Sequence, residues 1–172
     1  MQLSKDERAV LVEQTEEFFF EAMRHGWASG EAKFVTKNFS GWKEKTWVFT
    51  HPNFVGFVLV DSFRTFADSR VSEGRKSIYY NNGQPIWYMN YGGWYDKEVM
   101  AFLKEALMIA YKANQFVGGR GPDDIYVSNF QGLLYNNRVQ LRTFVNFSGI
   151  EFVTDSFGAS RGEHFYFGGS TI

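Results

Sequence analysis

The sequence predicts an α+β fold: one domain, residues 1–172, in which a curved, largely antiparallel sheet carries two long helices. Three observations lead there. Two stretches, 4–25 and 96–113, place apolar residues at helical spacing. The remaining segments are rich in Val, Phe, Trp and Tyr and are divided by turn signals. Aromatic residues are abundant, 19 Phe, 9 Tyr and 5 Trp in 172 positions. Each buried aromatic removes about 150–250 Å² from water, so a sizeable core is within reach.

The first helix is announced by Ser4 and Glu7, a capping box in which the serine oxygen and the glutamate satisfy each other's backbone N–H. Leu11, Phe18 and Ala22, flanked by Val12, Phe19 and Met23, form its apolar face. Arg24 and His25 suit the negative end of the helix, and Gly26 suits its termination. Strands are expected at 46–50 and 54–60, separated by His51-Pro52-Asn53. Two more, 77–80 and 85–91, flank Asn82-Gly83, the expected centre of a type I′ hairpin turn. The second helix is expected to start at Asp96 as N-cap, with Val99, Leu103, Ala106 and Ala110 along one stripe. It ends before the glycine-rich segment 118–122. Strands at 124–130, 139–147 and 150–154 complete the reading, with Ser148-Gly149 as a second hairpin turn.

A faint internal repeat at an offset of 66 aligns Ser62 with Ser128, Ile78 with Phe144, Gly83 with Gly149, Tyr91 with Phe157 and Gly92 with Gly158. It divides the chain into halves 4–95 and 96–172, each a helix followed by strands and a hairpin. Two such units merge most simply into one antiparallel sheet with both helices on one face.

Composition excludes several function classes. There is no cysteine, hence no disulfide, thiolate metal site or cysteine nucleophile. The net charge is -1, and residues 31–76 carry only 8 Lys and Arg against 5 Asp and Glu, too small an excess to argue for nucleic acid. No stretch approaches the roughly 20 apolar residues of a membrane span. The N-terminal residues are charged, without the apolar core of a secretion signal, so a cytoplasmic location is expected. The three histidines, His25, His51 and His164, show no metal-ligand spacing; neither a metal nor a cofactor is expected.

Four features are weighed for function. Gly158-Ala159-Ser160-Arg161-Gly162 fits G-x-S-x-G, but a nucleophile elbow needs a following helix and a histidine far downstream. Gly118-Gly119-Arg120-Gly121 reads as a connector, since the phosphate-loop Lys-Ser/Thr pair is missing. Asp61, Arg64, Asp68 and Arg70 follow the strongest strand, where functional side chains and solvated turn charges are both common. The aromatic strand 85–95 is the densest feature. Alternation places Trp87, Met89 and Tyr91 on one face and Tyr88 and Asn90 on the other. Tyr88 and Asn90, with Asp61 and Arg64 beside them, are expected to border a binding groove, and Tyr91 and Trp94 extend the same aromatic set.

Ala28-Ser29-Gly30-Glu31-Ala32-Lys33, Pro85-Ile86-Trp87-Tyr88-Met89-Asn90-Tyr91-Gly92-Gly93 and Phe102-Leu103-Lys104-Glu105-Ala106-Leu107 resemble an uncharacterised bacterial domain family, found alone and behind helix-turn-helix regulator domains. The resemblance spans roughly 8–160 and implies a binding or sensing role without catalytic residues. The expected function is thus a cytoplasmic binding or sensing module for a small molecule or a protein partner, touching neither nucleic acid nor membrane directly. An enzyme of unfamiliar type, such as a hydrolase, and a structural homo-oligomer built on the aromatic face are the alternatives.

Overall fold

A computed structural model of the chain describes residues 3–123, 126–127 and 132–172. Helix α1 spans Lys5–Arg24, and both bonds of the capping box form: Glu7 N–H donates to Ser4 Oγ at 3.2 Å and Ser4 N–H to Glu7 Oε2 at 2.8 Å. Five strands follow: β1 (Val35–Phe39), β2 (Trp42–Phe49), β3 (Phe57–Phe66), β4 (Val71–Tyr80) and β5 (Pro85–Tyr95). A 3₁₀ turn at Lys97–Val99 leads into α2 (Met100–Lys112), and then come β6 (Tyr126–Val127), β7 (Leu134–Thr143), β8 (Asn146–Thr154) and β9 (Ser160–Ser170). All join one open, curved antiparallel sheet in the order β1-β2-β3-β4-β5-β9-β8-β7-β6.

The order is that of two meanders meeting at β5 and β9. Tyr91 pairs with Tyr166 across that seam. An offset of 75, not 66, relates the halves: Gly74 pairs with Tyr91 as Gly149 pairs with Tyr166. In each case the tyrosine ring lies where a Cβ on the glycine would stand. Gly149 therefore belongs to the interior of β8, and the expected turn at Ser148-Gly149 is displaced to Phe144-Val145, between β7 and β8.

Other expectations change for local reasons. In the β4–β5 hairpin Gly83 N–H donates to Tyr80 O at 3.0 Å, which makes Asn81 and Asn82 the central residues. Their φ values are 51° and 55°, so the type I′ geometry exists one residue earlier than expected, and Gly83 is outside the left-handed region. Asp96 makes no side-chain cap; its carboxylate instead pairs with Arg70 and Arg161. Strand β1 was not expected, and the residues after Gly162, legible as strand or tail, form most of β9. Asp124, Ile125 and Ser128–Phe130 of the expected strand 124–130 lie outside the described residues.

The core lies between the helices and one face of the sheet. Phe18 packs on Phe49, Phe54 and Phe57, and Phe19 on Trp87 and Phe116. Trp87 is stacked against Phe144 and Phe147 and donates its indole N–H to Phe144 O at 3.0 Å. Side chains on this inner face alternate with exposed or half-buried ones on the outer face, as the pleat requires.

Candidate functional site

The inner face is not uniformly apolar. Asp61 on β3, Lys76 on β4, and Glu151 and His164 on β8 and β9 occupy core-facing positions, and Arg120 enters from the segment after α2. Burial of ionised groups is costly unless each is paired, and here each carboxylate is. Asp61 accepts the Tyr91 hydroxyl at 2.8 Å and faces Lys76 Nζ at 3.3 Å. Glu151 accepts the hydroxyls of Tyr95 and Tyr135, each at 2.6 Å, and is ion-paired with Arg120.

The electrostatics follow from this packing. Burial alone would raise the Glu151 carboxyl, but the Arg120 guanidinium and the donated hydrogen bonds hold it below its ordinary value. Burial lowers the Lys76 ammonium, with Asp61 opposing. His164 is pushed down to about 3 by burial and by the positive charge of Arg120, so at neutral pH its ring is uncharged. Two polar atoms in this cluster are buried without a hydrogen-bond partner: Arg120 Nε and His164 Nδ1. Among the described residues, such atoms are few.

Above the first half of this cluster lies a cavity of about 880 Å³. Asp61, Lys76, Tyr91, Tyr95, Arg120 and His164 form its polar floor. Trp27, Phe63, Met100 and Leu103 supply apolar walls. Its exposed or half-buried margin is basic: Lys43, Lys45, Lys97 and Lys104 make no ion pair among the described residues. Lys45 lies over the Phe63 ring at 5.8 Å and Lys104 over Trp27 at 4.7 Å. Ser72 at the cavity wall contacts His164 Nε2 through its hydroxyl at 3.2 Å. That is the contact of a serine–histidine pair, but Nδ1 has no orienting partner and the ring resists a proton, both unfavourable to general-base work.

The residues singled out from sequence divide between the two faces. Asp61 and Tyr91 belong to the cavity floor. Arg64, Tyr88, Asn90 and Trp94 belong to the outer face, so the single groove joining Asp61 and Arg64 to Tyr88 and Asn90 is not formed. The reason is parity: Asp61 and Arg64 are three apart on β3, which sends them to opposite sides. Arg64 and Asn90 border a shallower outer depression of about 370 Å³. Tyr88 lies under the Arg75 guanidinium at 5.2 Å and Trp94 under that of Arg70 at 4.3 Å. Gly158 sits in the β8–β9 turn at φ +82° and Ser160 opens a strand, so no elbow exists. His25 and His51 lie beside Glu21, at 3.4 and 3.6 Å. No group of three or more metal-ligating side chains occurs among the described residues, nor does any helix long and apolar enough to cross a membrane.

Lys76 and Glu151 escaped the sequence reading, while Arg120 was read as part of a connector and Tyr95 as part of the aromatic strand. A signal existed for the first two: Lys76 precedes Ile78, and Glu151 lies between Gly149 and Val153, in the apolar phase of their strands. A charge in that phase is buried by the pleat. Arg120 carried no such signal, because nothing in a glycine-rich loop shows which way it turns.

Residues 64–171 match the family described as a domain of unknown function, DUF5680. The chain belongs to this family. Comparison with curated proteins and with solved structures gave no match. The DUF5680 segment contains the Pro85–Gly93 and Phe102–Leu107 stretches, whereas Ala28–Lys33 lies before it. It also contains the whole cavity floor except Asp61, while Trp27, Lys45 and Phe63 precede it.

Proposed function

We propose that this chain is a small-molecule binding module whose ligand occupies the cavity over Asp61, Lys76, Tyr91, Tyr95, Arg120 and His164. The observation that carries the reading is the convergence of these groups beneath apolar walls. Asp61, Lys76, Arg120 and His164 are each at most 6% exposed. Replacing a buried ion pair by apolar side chains is often neutral or stabilising by about 1–4 kcal/mol, so stability alone is a weak reason to keep two such pairs. A volume of 880 Å³ is at the upper end of the range for small-molecule sites, about 300–1,000 Å³.

Native mass spectrometry of the purified chain tests this. The expected spectrum contains a non-covalent adduct of a few hundred daltons that disappears in Thr65→Trp, where an indole fills the cavity from β3. A bare chain mass, unchanged by any added small molecule, contradicts the reading. A second reading, association of copies, is supported by Phe165 and Phe167 on the outer face, 59% and 56% exposed. The same spectrum reads it as a multiple of the chain mass that Phe165→Ser/Phe167→Ser abolishes.

A further inference from the structure

If the cavity is a ligand site, its chemistry also defines the ligand. The inner-face acceptors are already engaged. Both Asp61 oxygens are occupied, by Tyr91 and Lys76, and both Glu151 oxygens, by Tyr95 and Arg120 on one and Tyr135 on the other. Asn137 Oδ1 is held by the Tyr166 hydroxyl at 2.6 Å. What remains unspent is donor capacity. Arg120 Nε is buried and unbonded. His164 Nδ1 is too, and carries the ring proton in the tautomer in which Ser72 donates to Nε2. Lys76 has one ion-pair partner for three N–H groups. The cavity margin repeats the preference, with Lys43, Lys45, Lys97 and Lys104 against Asp68. Between floor and margin the walls are aromatic and aliphatic.

We propose that the ligand is an amphiphilic carboxylate: an aromatic or apolar body lying against Trp27, Phe63, Met100 and Leu103, with a carboxylate directed to the part of the floor formed by Lys76, Arg120 and His164 and drawn by the unpaired margin lysines. The floor pairs, Asp61 with Lys76 and Glu151 with Arg120, balance each other, so the charge left to be met is the positive excess of Lys43, Lys45, Lys97 and Lys104 at the margin, and a single negative charge is specified. The margin lysines draw the anion in and make binding weaken with salt. A neutral ligand of the same shape would forgo the attraction of the margin lysines.

The test is calorimetric titration of the full chain with three probes of nearly equal shape: 2-naphthoate, 2-naphthamide and 2-naphthylmethylamine. Naphthoate is expected to bind at least tenfold more tightly than the amide, and the amine more weakly still. Raising the salt should erode only the naphthoate affinity, and Lys45→Gln/Lys104→Gln, at half-buried positions, should narrow its advantage severalfold. If the amide or the amine binds as tightly as naphthoate, and Thr65→Trp abolishes that binding, the anion inference falls and the binding module stands. If none of the three binds, the carboxylate assignment falls by itself, and the binding-module reading then rests on the adduct in the native spectrum.

Discussion

Asp61 on β3 and Asn137 on β7 hold matching places in the two halves of the sheet. Each accepts a tyrosine hydroxyl, from Tyr91 at 2.8 Å and Tyr166 at 2.6 Å, and each of those rings covers a glycine, Gly74 or Gly149. Their surroundings differ. Over Asn137 the segment 117–121 is pressed down: Asn137 Nδ2 donates to Val117 O at 3.0 Å and Gly121 O at 2.8 Å, and Gly121 N–H donates to Tyr135. Gly118 at φ +63° lies where any Cβ would strike the Tyr166 ring. Over Asp61 the matching space is open cavity. One arrangement of strands thus supports a sealed polar network in one half and an accessible one in the other, and the difference comes from a connecting segment rather than from the sheet.

The contrast is broken most severely at Glu151. Glu151→Ala leaves Arg120, Tyr95 and Tyr135 buried without their acceptor, and should cost about 3–5 kcal/mol, whereas Asp61→Asn keeps an acceptor for the Tyr91 hydroxyl and leaves Lys76 beside the cavity, where water can reach it on a small shift, and should cost about 1–2 kcal/mol. Urea denaturation midpoints compare the two directly. Equal losses would mean that the first half is as dry as the second.

The paired glycines sharpen the comparison. Gly149→Ala forces a methyl against the Tyr166 ring and the Arg138 carbonyl, and overpacking of this kind should cost about 3 kcal/mol. Gly74→Ala meets Tyr91 and Phe63, which can shift toward the cavity, and should cost nearer 1 kcal/mol. Thermal melts of both variants show whether Tyr91 has the freedom that Tyr166 lacks.

His164 sits at the seam, bonded to Ser72 of the first half and paired in register with Glu151 of the second. The unfolded chain takes up this proton near pH 6.5 and the fold only near 3. Stability is therefore complete above about 6.5 and falls as the pH drops through that window, by up to about 1.4 kcal/mol per pH unit. Denaturation midpoints between pH 7 and 5 should show the slope, and His164→Gln should remove it. A slope unchanged in the variant would show that His164 takes up its proton alike in the folded and the unfolded chain.

The two hairpin turns give effects at the small end of this range. Gly158 has φ +82° with no atom near its absent side chain, so Gly158→Val should cost about 1–2 kcal/mol from backbone strain. Gly83 lies outside that region, and Gly83→Val should cost less, with Asn82→Val, at φ 55°, the damaging change in its hairpin. Midpoints for the three variants test that ordering.

The fold class was legible because its causes are local. The capping box at Ser4 and Glu7, the stripes of α1 and α2 and the β-rich segments each act through neighbours in sequence. Register was less legible. Asn81-Asn82-Gly83 offers two adjacent turn centres, and the aromatic-glycine spacing suggested an offset of 66 where pairing establishes 75. Gly149 read as a turn because the reason for a glycine there, the Tyr166 hydroxyl from the next strand, is a tertiary contact. The site was half legible: Asp61 and Tyr91 followed from strand position, but the faces of Arg64 and Asn90 depend on strand phase, and Arg120 reaches Glu151 through a loop whose path no periodicity encodes.

The most direct test of the open first half is ¹⁹F NMR of the chain labelled with 5-fluorotryptophan and titrated with 2-naphthoate. Trp27 lines the cavity, Trp87 is fully buried in the core, and Trp42 and Trp94 face outward under Arg64 and Arg70. The account predicts that the Trp27 signal moves and saturates at one ligand per chain while those of Trp42, Trp87 and Trp94 stay in place. Movement of Trp42 or Trp94, with Trp27 unmoved at saturation, would contradict it.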